Sequence, residues 1–312
     1  MGPDGDSLGS SIALSHYLNK LSIKNKVIVP DNFPDYYNFL PSSNEVIIAS
    51  ENLLLAGDLI DKSDLIFCLD FNQRNRVGEL LKPFLTNAED KMVIVIDHHT
   101  YPENFGTFEL IDSTASSTCE LIYRFIKDNG DLDLIDPEIA MAIYTGLITD
   151  TGSFKYSSVT HLTHEIAAFL KKVGLDHTFV HDHIFDQNNL NQLLLKGYAL
   201  QKIKIDKVSS LSYLALTEDE LTRFQYQKGD TEGFVNYCLS IRGVKTAVFV
   251  KEDVDKIKFS FRSKGEVKVN EFAKLYYGGG GHQMAAGASV QRGDLEEVVM
   301  AMLTNYRKFI NT

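Results

Sequence analysis

Short apolar runs of β type alternate with stretches of helical spacing through the first half of the chain. Val27 to Val29, Val46 to Ala49, Leu65 to Leu69 and Val93 to Ile96 each end in a polar or turn-forming stretch, which reads as a parallel α/β sheet. From Ser7 to Leu21 the apolar residues Leu8, Ile12, Ala13, Tyr17, Leu18 and Leu21 recur at helical spacing behind a Pro3-Asp4-Gly5-Asp6 turn. A helix starting just after that turn is predicted. From Ile135 to about Ile205 the pattern is mostly helical, with candidates at Ile139 to Leu147, Leu162 to Val173 and Leu190 to Ile205, the last read as a connecting segment.

After Asp206 the pattern changes. Strands are predicted at Leu211 to Leu216, Ala247 to Lys251 and Ile257 to Phe261, with helices near Asp230 to Leu239, Asn270 to Tyr276 and Asp294 to Phe309. A smaller α+β domain fits, with a glycine run, Gly278 to Gly281, near its end. The expected division is a parallel-sheet α/β domain over residues 1–185, a helical linker over 186–206 and the α+β domain over 207–312.

Composition agrees with two domains and narrows the setting. At 312 residues the chain exceeds one comfortable domain, and its 44% apolar and 23% charged content is that of an ordinary soluble protein. No apolar run approaches the roughly 18 residues of a membrane span, and Cys68, Cys119 and Cys238 are scattered without a CxxC pair. These features predict a cytoplasmic protein. A formal net charge of −11 disfavours tracking of long duplex nucleic acid over a basic surface. A small anionic substrate remains compatible, and bound divalent cations would neutralise part of an acidic cluster.

Ligands of open parallel sheets gather at the carboxyl ends of strands, and acidic residues and histidines fall there. Asp70 follows Leu65 to Leu69, and Asp97-His98-His99 follows Val93 to Ile96; Asp4 and Asp6 sit in the turn before the first helix, and Asp150 closes an apolar helical stretch. Singly, an aspartate in such a place is most often a turn residue or helix cap. Two adjacent histidines at a strand end have no common structural task, so the conjunction carries the functional reading. A calcium loop at Asp4-Gly5-Asp6 is excluded by Leu8 at its fifth position. His161 and His164, one helical turn apart, read as capping or covering a helix, and His16, His177, His181 and His183 as structural or surface residues.

Taken in order, Pro3-Asp4-Gly5-Asp6-Ser7-Leu8-Gly9-Ser10, Asp70, Asp97-His98-His99 and Asp150 resemble the motifs of the DHH phosphoesterases. Phe259 to Ser263 and Gly278 to His282 through Ala285-Ala286-Gly287 resemble the DHH-associated substrate domain, closest to the bifunctional oligoribonuclease and pAp phosphatase group. The resemblance implies an active site in an interdomain cleft. It implies two divalent metal ions, manganese with magnesium or cobalt as substitutes. Asp4 and Asp70 would hold one; Asp6, Asp70, His98 and Asp150 would hold the other, with Asp70 bridging. A hydroxide activated by the metal pair would attack the phosphate, His99 would assist at the phosphate or leaving oxygen, and Asp97 would orient a ligand histidine. Arg262, Ser263, Gly279, Gly280, Gly281, His282 and Asn236 would bind substrate, the glycine run by offering backbone N–H groups to an anion.

The implied substrates are short oligoribonucleotides and 3′-phosphoadenosine 5′-phosphate, the alternative being cyclic-di-AMP or its linear product pApA. By analogy with the family the protein forms a homodimer. The family's first motif also carries a histidine and a preceding interior strand, whereas this sequence opens on the aspartates. The expectation is that the natural chain begins upstream of Met1. Otherwise two neighbouring strands would lose a partner, the first metal would keep only Asp4 and Asp70, and a catalytically impaired nucleotide-binding protein would be the reading.

Overall fold

The computed structural model describes residues 2–88 and 90–311, which fall into two compact units, 1–187 and 188–312. In the first unit, Asp4 caps the helix α1 (Gly5–Lys20): its carboxylate accepts the N–H groups of Asp6 and Ser7, and Ser7 Oγ in return accepts the Asp4 N–H. This reciprocal cap satisfies donors that a helix start leaves open. Then follow β1 (Ile28–Val29), β2 (Ile47–Ile48), α2 (Leu53–Lys62), β3 (Leu65–Leu69), α3 (Lys82–Thr86), β4 (Met92–Asp97) and β5 (Phe108–Ile111). Four helices complete the unit, α4 (Thr118–Asp128), α5 (Pro137–Asp150), α6 (His161–Lys172) and α7 (His177–Phe185).

All pairings in this unit are parallel, as the strand pattern predicts, but the sheet is in two pieces. β1 pairs with β2, while β3, β4 and β5 form a second sheet in that order. Among the described residues no ladder joins the pieces, and a cavity of about 1030 Å³ lined by Leu14, Leu18, Ile28, Ile66, Phe67 and Phe71 lies in this region. The core sits where α1, α4 and α5 meet the sheet, around Leu8, Ile12, Ile96, Ile122 and Ile143.

Two glycines set how closely the helices approach. A Cβ on Gly9 of α1 would stand 2.5 Å from the Ala142 carbonyl oxygen of α5, and one on Gly146 would stand 2.6 Å from Asp6 Oδ1. Only hydrogen fits at either place. The consequence is that the first turn of α1 and the last turn of α5 lie side by side.

The second unit opens with α8 (Leu190–Gln201), β6 (Lys204–Asp206), β7 (Leu211–Leu216), α9 (Glu218–Arg223) and α10 (Phe234–Leu239). It continues with β8 (Thr246–Glu252), β9 (Lys256–Ser263), α11 (Val269–Tyr277), β10 (Gly280–His282), β11 (Ala285–Gln291) and α12 (Leu295–Phe309). The strands form one mixed sheet in the order β10-β11-β9-β8-β7-β6, parallel only between β7 and β8. Val248, Val250, Phe259 and Phe261 face α11 and α12 on one side; Ala247 and Phe249 face α8 and α10 on the other.

Two expectations are corrected here. Residues 186–206 are not a free helical linker: Leu195 and Ala199 of α8 are buried against Leu214 and Phe249, because the helix turns an apolar stripe to the sheet. Nor does that helix reach Ile205, which instead pairs with Ser212 in β6.

The close approach at Gly9 is testable. Alanine is ordinarily about 1 kcal/mol better than glycine inside a helix, but overpacking costs roughly 1–3 kcal/mol. Gly9→Ala should lower unfolding free energy in urea by about 1–2 kcal/mol. Gly197→Ala in α8, where nothing lies within 4 Å of an added Cβ, should leave it unchanged or raise it by up to about 1 kcal/mol.

Candidate metal centre

Four elements of the first unit each bring one acidic or imidazole group to a common point. Asp6 lies in the first turn of α1, Asp70 follows β3, His98 follows β4 and Asp150 ends α5. His98 Nε2 stands 3.1 Å from Asp150 Oδ2, 3.7 Å from Asp6 Oδ2 and 3.7 Å from Asp70 Oδ1. Asp70 adopts a left-handed backbone, φ +64°, which aspartate and asparagine tolerate better than most residues.

Asp6 is fully buried, and its carboxylate is clamped by the start of α4. The Thr118 N–H donates to Asp6 Oδ2 at 2.6 Å and the Cys119 N–H to Asp6 Oδ1 at 2.9 Å. The Thr118 hydroxyl donates to Asp70 Oδ1 at 3.0 Å. One helix N-terminus thus orients two carboxylates, with its partial positive charge facing them. Glu120, itself buried, accepts from the Ser116 hydroxyl at 2.6 Å and the Thr163 hydroxyl at 3.0 Å and so fixes that turn.

Among the described residues, two groups have ligand atoms all within 4.8 Å of one another, Asp6-His98-Asp150 and Asp70-His98-His99. Carboxylate oxygens with imidazole nitrogens suit a divalent cation. The electrostatics also fit a cation. Burial, then the charge of Asp150, pushes the Asp6 carboxyl up to about 7 against the opposing effect of His98. Burial and the charges of Asp6, Asp4, Asp150 and Asp97 hold Asp70 well above the carboxylate range. Burial pulls His98 down, but the hydrogen bond to Asp150 and the charges of Asp6, Asp150 and Asp97 outweigh it and raise the imidazole to about 9. Positive charge at this point would relieve the repulsion.

Asp4 stands outside both groups. Its Oδ1 caps α1, the ordinary role for an aspartate there, while its charge adds to the pressure on Asp6 and Asp70. Asp97 Oδ1 lies 2.7 Å from His99 Nδ1, so the histidine it orients is His99 rather than His98. Asp70 Oδ1 lies 3.7 Å from both His98 Nε2 and His99 Nδ1 and faces each.

In the second unit, Arg262 pairs across the sheet with Ala285, and Ala285 with His282, so Arg262 and His282 occupy one row on one face. Arg262 is also the register partner of Ala247, which places that row on the side covered by α8 and α10, the helix carrying Asn236. Gly280 and Gly281 lie in β10, paired with Gly287 and Ala286, so the glycine run forms the edge strand of a hairpin. Gly279 likewise packs its Cα against β11. Ser263 is buried and its hydroxyl donates to the Val267 carbonyl at 2.5 Å.

Comparisons with known proteins match both units. The DHH family N-terminal domain matches residues 1–147, and the DHHA1 domain matches residues 210–311. The chain belongs to the DHH family. The bifunctional oligoribonuclease and PAP phosphatase NrnA of Bacillus subtilis is 28% identical over 305 residues, covering 96% of this chain and 90% of that protein. Its Thermus thermophilus counterpart is 29% identical over 309 residues, covering 98% of this chain and 87% of that protein. The crystal structure of an exopolyphosphatase-related protein from Bacteroides fragilis aligns with a TM-score of 0.95 at 36% identity over 99% of this chain and 90% of that one.

Four contributors of this DHH domain escaped the sequence reading. Thr118 and Cys119 act through backbone N–H groups, and the available signal was the Ser117-x-x-Glu120 helix-start pattern ahead of an apolar stripe. Asn72 donates to the His99 carbonyl at 2.7 Å, and Arg76 lies 2.9 Å from His99 Nε2. Neither stands in a recognisable spacing. His164, as expected, covers structure, stacking on Phe154.

Asp70→Asn tests the electrostatics, because asparagine accepts the left-handed backbone and keeps the Thr118 hydrogen bond. A carboxyl raised in the fold favours the folded state below its unfolded value, near 3.8, and loses that advantage as pH rises. Metal-free D70N should therefore melt above metal-free wild type at pH 8, and the gap should close towards pH 4. Manganese should raise the melting temperature of wild type and not that of D70N. A lower melting point for D70N at pH 8 would contradict this.

Proposed function

We propose that this chain is a metal-dependent phosphoesterase that hydrolyses short oligoribonucleotides and 3′-phosphoadenosine 5′-phosphate. The observation that carries the reading is the convergence of Asp6, Asp70 and Asp150 on His98 Nε2. The relatives' names supply the substrate class: both NrnA proteins, similar over nearly the whole chain, are described as oligoribonuclease and PAP phosphatase. Asp6, Asp70, His98 and Asp150 would hold divalent metal, with His99 facing the same carboxylate as His98. An imidazole nitrogen among carboxylates favours manganese or cobalt over magnesium. When bound, such ions supply Lewis-acid charge and acidify water near neutral pH.

The chain's own groups define the rest. The α4 N-terminus keeps Asp6 and Asp70 aimed inward, so the donor set is preorganised. Asp97 holds the His99 proton on Nδ1, which leaves Nε2 as the atom able to receive or pass the proton of a phosphate or leaving oxygen. Arg262 and His282 in the second unit are the candidates for binding further phosphate of a short substrate. A net charge of −11 matches small substrates better than long RNA.

Purified protein with manganese should release mononucleotides from RNAs of about two to five residues and phosphate from 3′-phosphoadenosine 5′-phosphate, with slower turnover of longer RNA. His98→Ala should cost more than about 100-fold in kcat/KM on both substrates. Absence of turnover of either, in protein shown to bind manganese, would refute the proposal.

A further inference from the structure

The first unit contains three arginines, Arg74, Arg76 and Arg124, and their surroundings differ. Arg74 pairs with Glu103 at 2.5 Å and Arg124 with Asp112 at 2.7 Å. Arg76 has no carboxylate within ion-pair distance among the described residues. Its guanidinium instead donates to an imidazole, His99 Nε2, at 2.9 Å. A half-buried guanidinium that faces an imidazole instead of a carboxylate, beside a candidate phosphate-processing centre, offers a planar pair of donors suited to an anion.

The position of Arg76 is built. It lies on a short 3-10 turn, Arg74–Val77, that follows Asp70 and buries Val77 in the core. The Arg74 N–H donates to Glu103 Oε2 at 2.7 Å, and the Glu103 N–H donates to the Asn72 carbonyl at 2.8 Å. Asn72 in turn holds the His99 carbonyl. The turn carrying Arg76 and the loop carrying His99 are thus fastened to each other.

We infer that Arg76 binds the reacting phosphate of the substrate, and that its contact with His99 is the position it takes in the absence of phosphate. The identity of the substrate rests on the proposed phosphoesterase reading; the anion site does not. On this account the planar fork exchanges one imidazole nitrogen for two phosphate oxygens. The exchange leaves His99 Nε2 facing the reacting group, so phosphate binding and the availability of His99 are coupled. Arg76 is then a catalytic residue in the direct sense, one that touches substrate.

The test uses manganese-loaded full-length protein, with inorganic phosphate and AMP as probes in calorimetric titration and short RNA as substrate. Arg76→Gln should bind manganese as wild type does, bind both probes about 10–100-fold more weakly, and lose kcat/KM on short RNA by at least as much. Arg76→Lys, which keeps the charge and loses the fork, should lie between them, and it decides the matter if Arg76→Gln folds poorly. Equal phosphate affinity in wild type and both variants would overturn the inference. So would a loss of phosphate affinity matched by an equal loss of manganese affinity, since that is a structural effect. Weakened phosphate binding with unchanged kcat/KM would leave only free phosphate at this site and would also overturn it. If wild type turns over no short RNA or 3′-phosphoadenosine 5′-phosphate, the proposed function fails, and the phosphate titration still decides the role of Arg76.

Discussion

The first unit depends on a buried carboxylate held by the start of a helix. Asp6 is removed from water, and the Thr118 and Cys119 N–H groups are its fixed partners. Two backbone hydrogen bonds do not offset the loss of hydration together with repulsion from Asp70 and Asp150. The chain therefore folds around an electrostatic debt, visible in the raised pKa of Asp6 and Asp70. A cation would be the natural counterpart, and its binding energy would become folding energy for this unit.

Much of the local architecture serves that arrangement. Gly9 and Gly146 permit α1 and α5 to touch, which brings Asp6 to Asp150. The parallel pairing of β3 with β4 places the loops after both strands at one edge, which brings Asp70 to His98 and His99. Glu120 ties the α4 start to α6 through Thr163. Gly9, Gly146, Glu120 and Thr163 are not expected ligands, yet each touches an element that carries one or the helix start that orients two. The second unit follows a different logic, with a mixed sheet covered on both faces and Arg262 and His282 presented in register across three strands.

Side-chain chemistry at strand ends was legible in the sequence. Asp70, Asp97-His98-His99 and Asp150 follow apolar runs, and their order carried the family resemblance as well as the parallel first sheet. Backbone chemistry was not legible in the same way. Thr118 and Cys119 contribute N–H groups that every residue possesses, so only the helix-start pattern around Ser117 and Glu120 marked them. Short elements were also lost: β5 at Phe108–Ile111 and β10 at Gly280–His282 have too few residues to show a period. Ser263 and the glycine run carry structural tasks that their motif did not reveal, a buried hydrogen bond and a hairpin edge. Arg76 is invisible to spacing because what sets it apart is the neighbour that the fold gives it, His99 Nε2 at 2.9 Å.

The central claim is that the carboxylates gathered on His98 constitute a metal site, and anomalous scattering measured at the manganese edge on crystals grown with manganese tests it directly. The account expects an anomalous peak within ligand distance of His98 Nε2 and of Asp6, Asp70 and Asp150 carboxylate oxygens. A well-ordered centre with no peak there, or manganese bound only elsewhere on the protein, would contradict it.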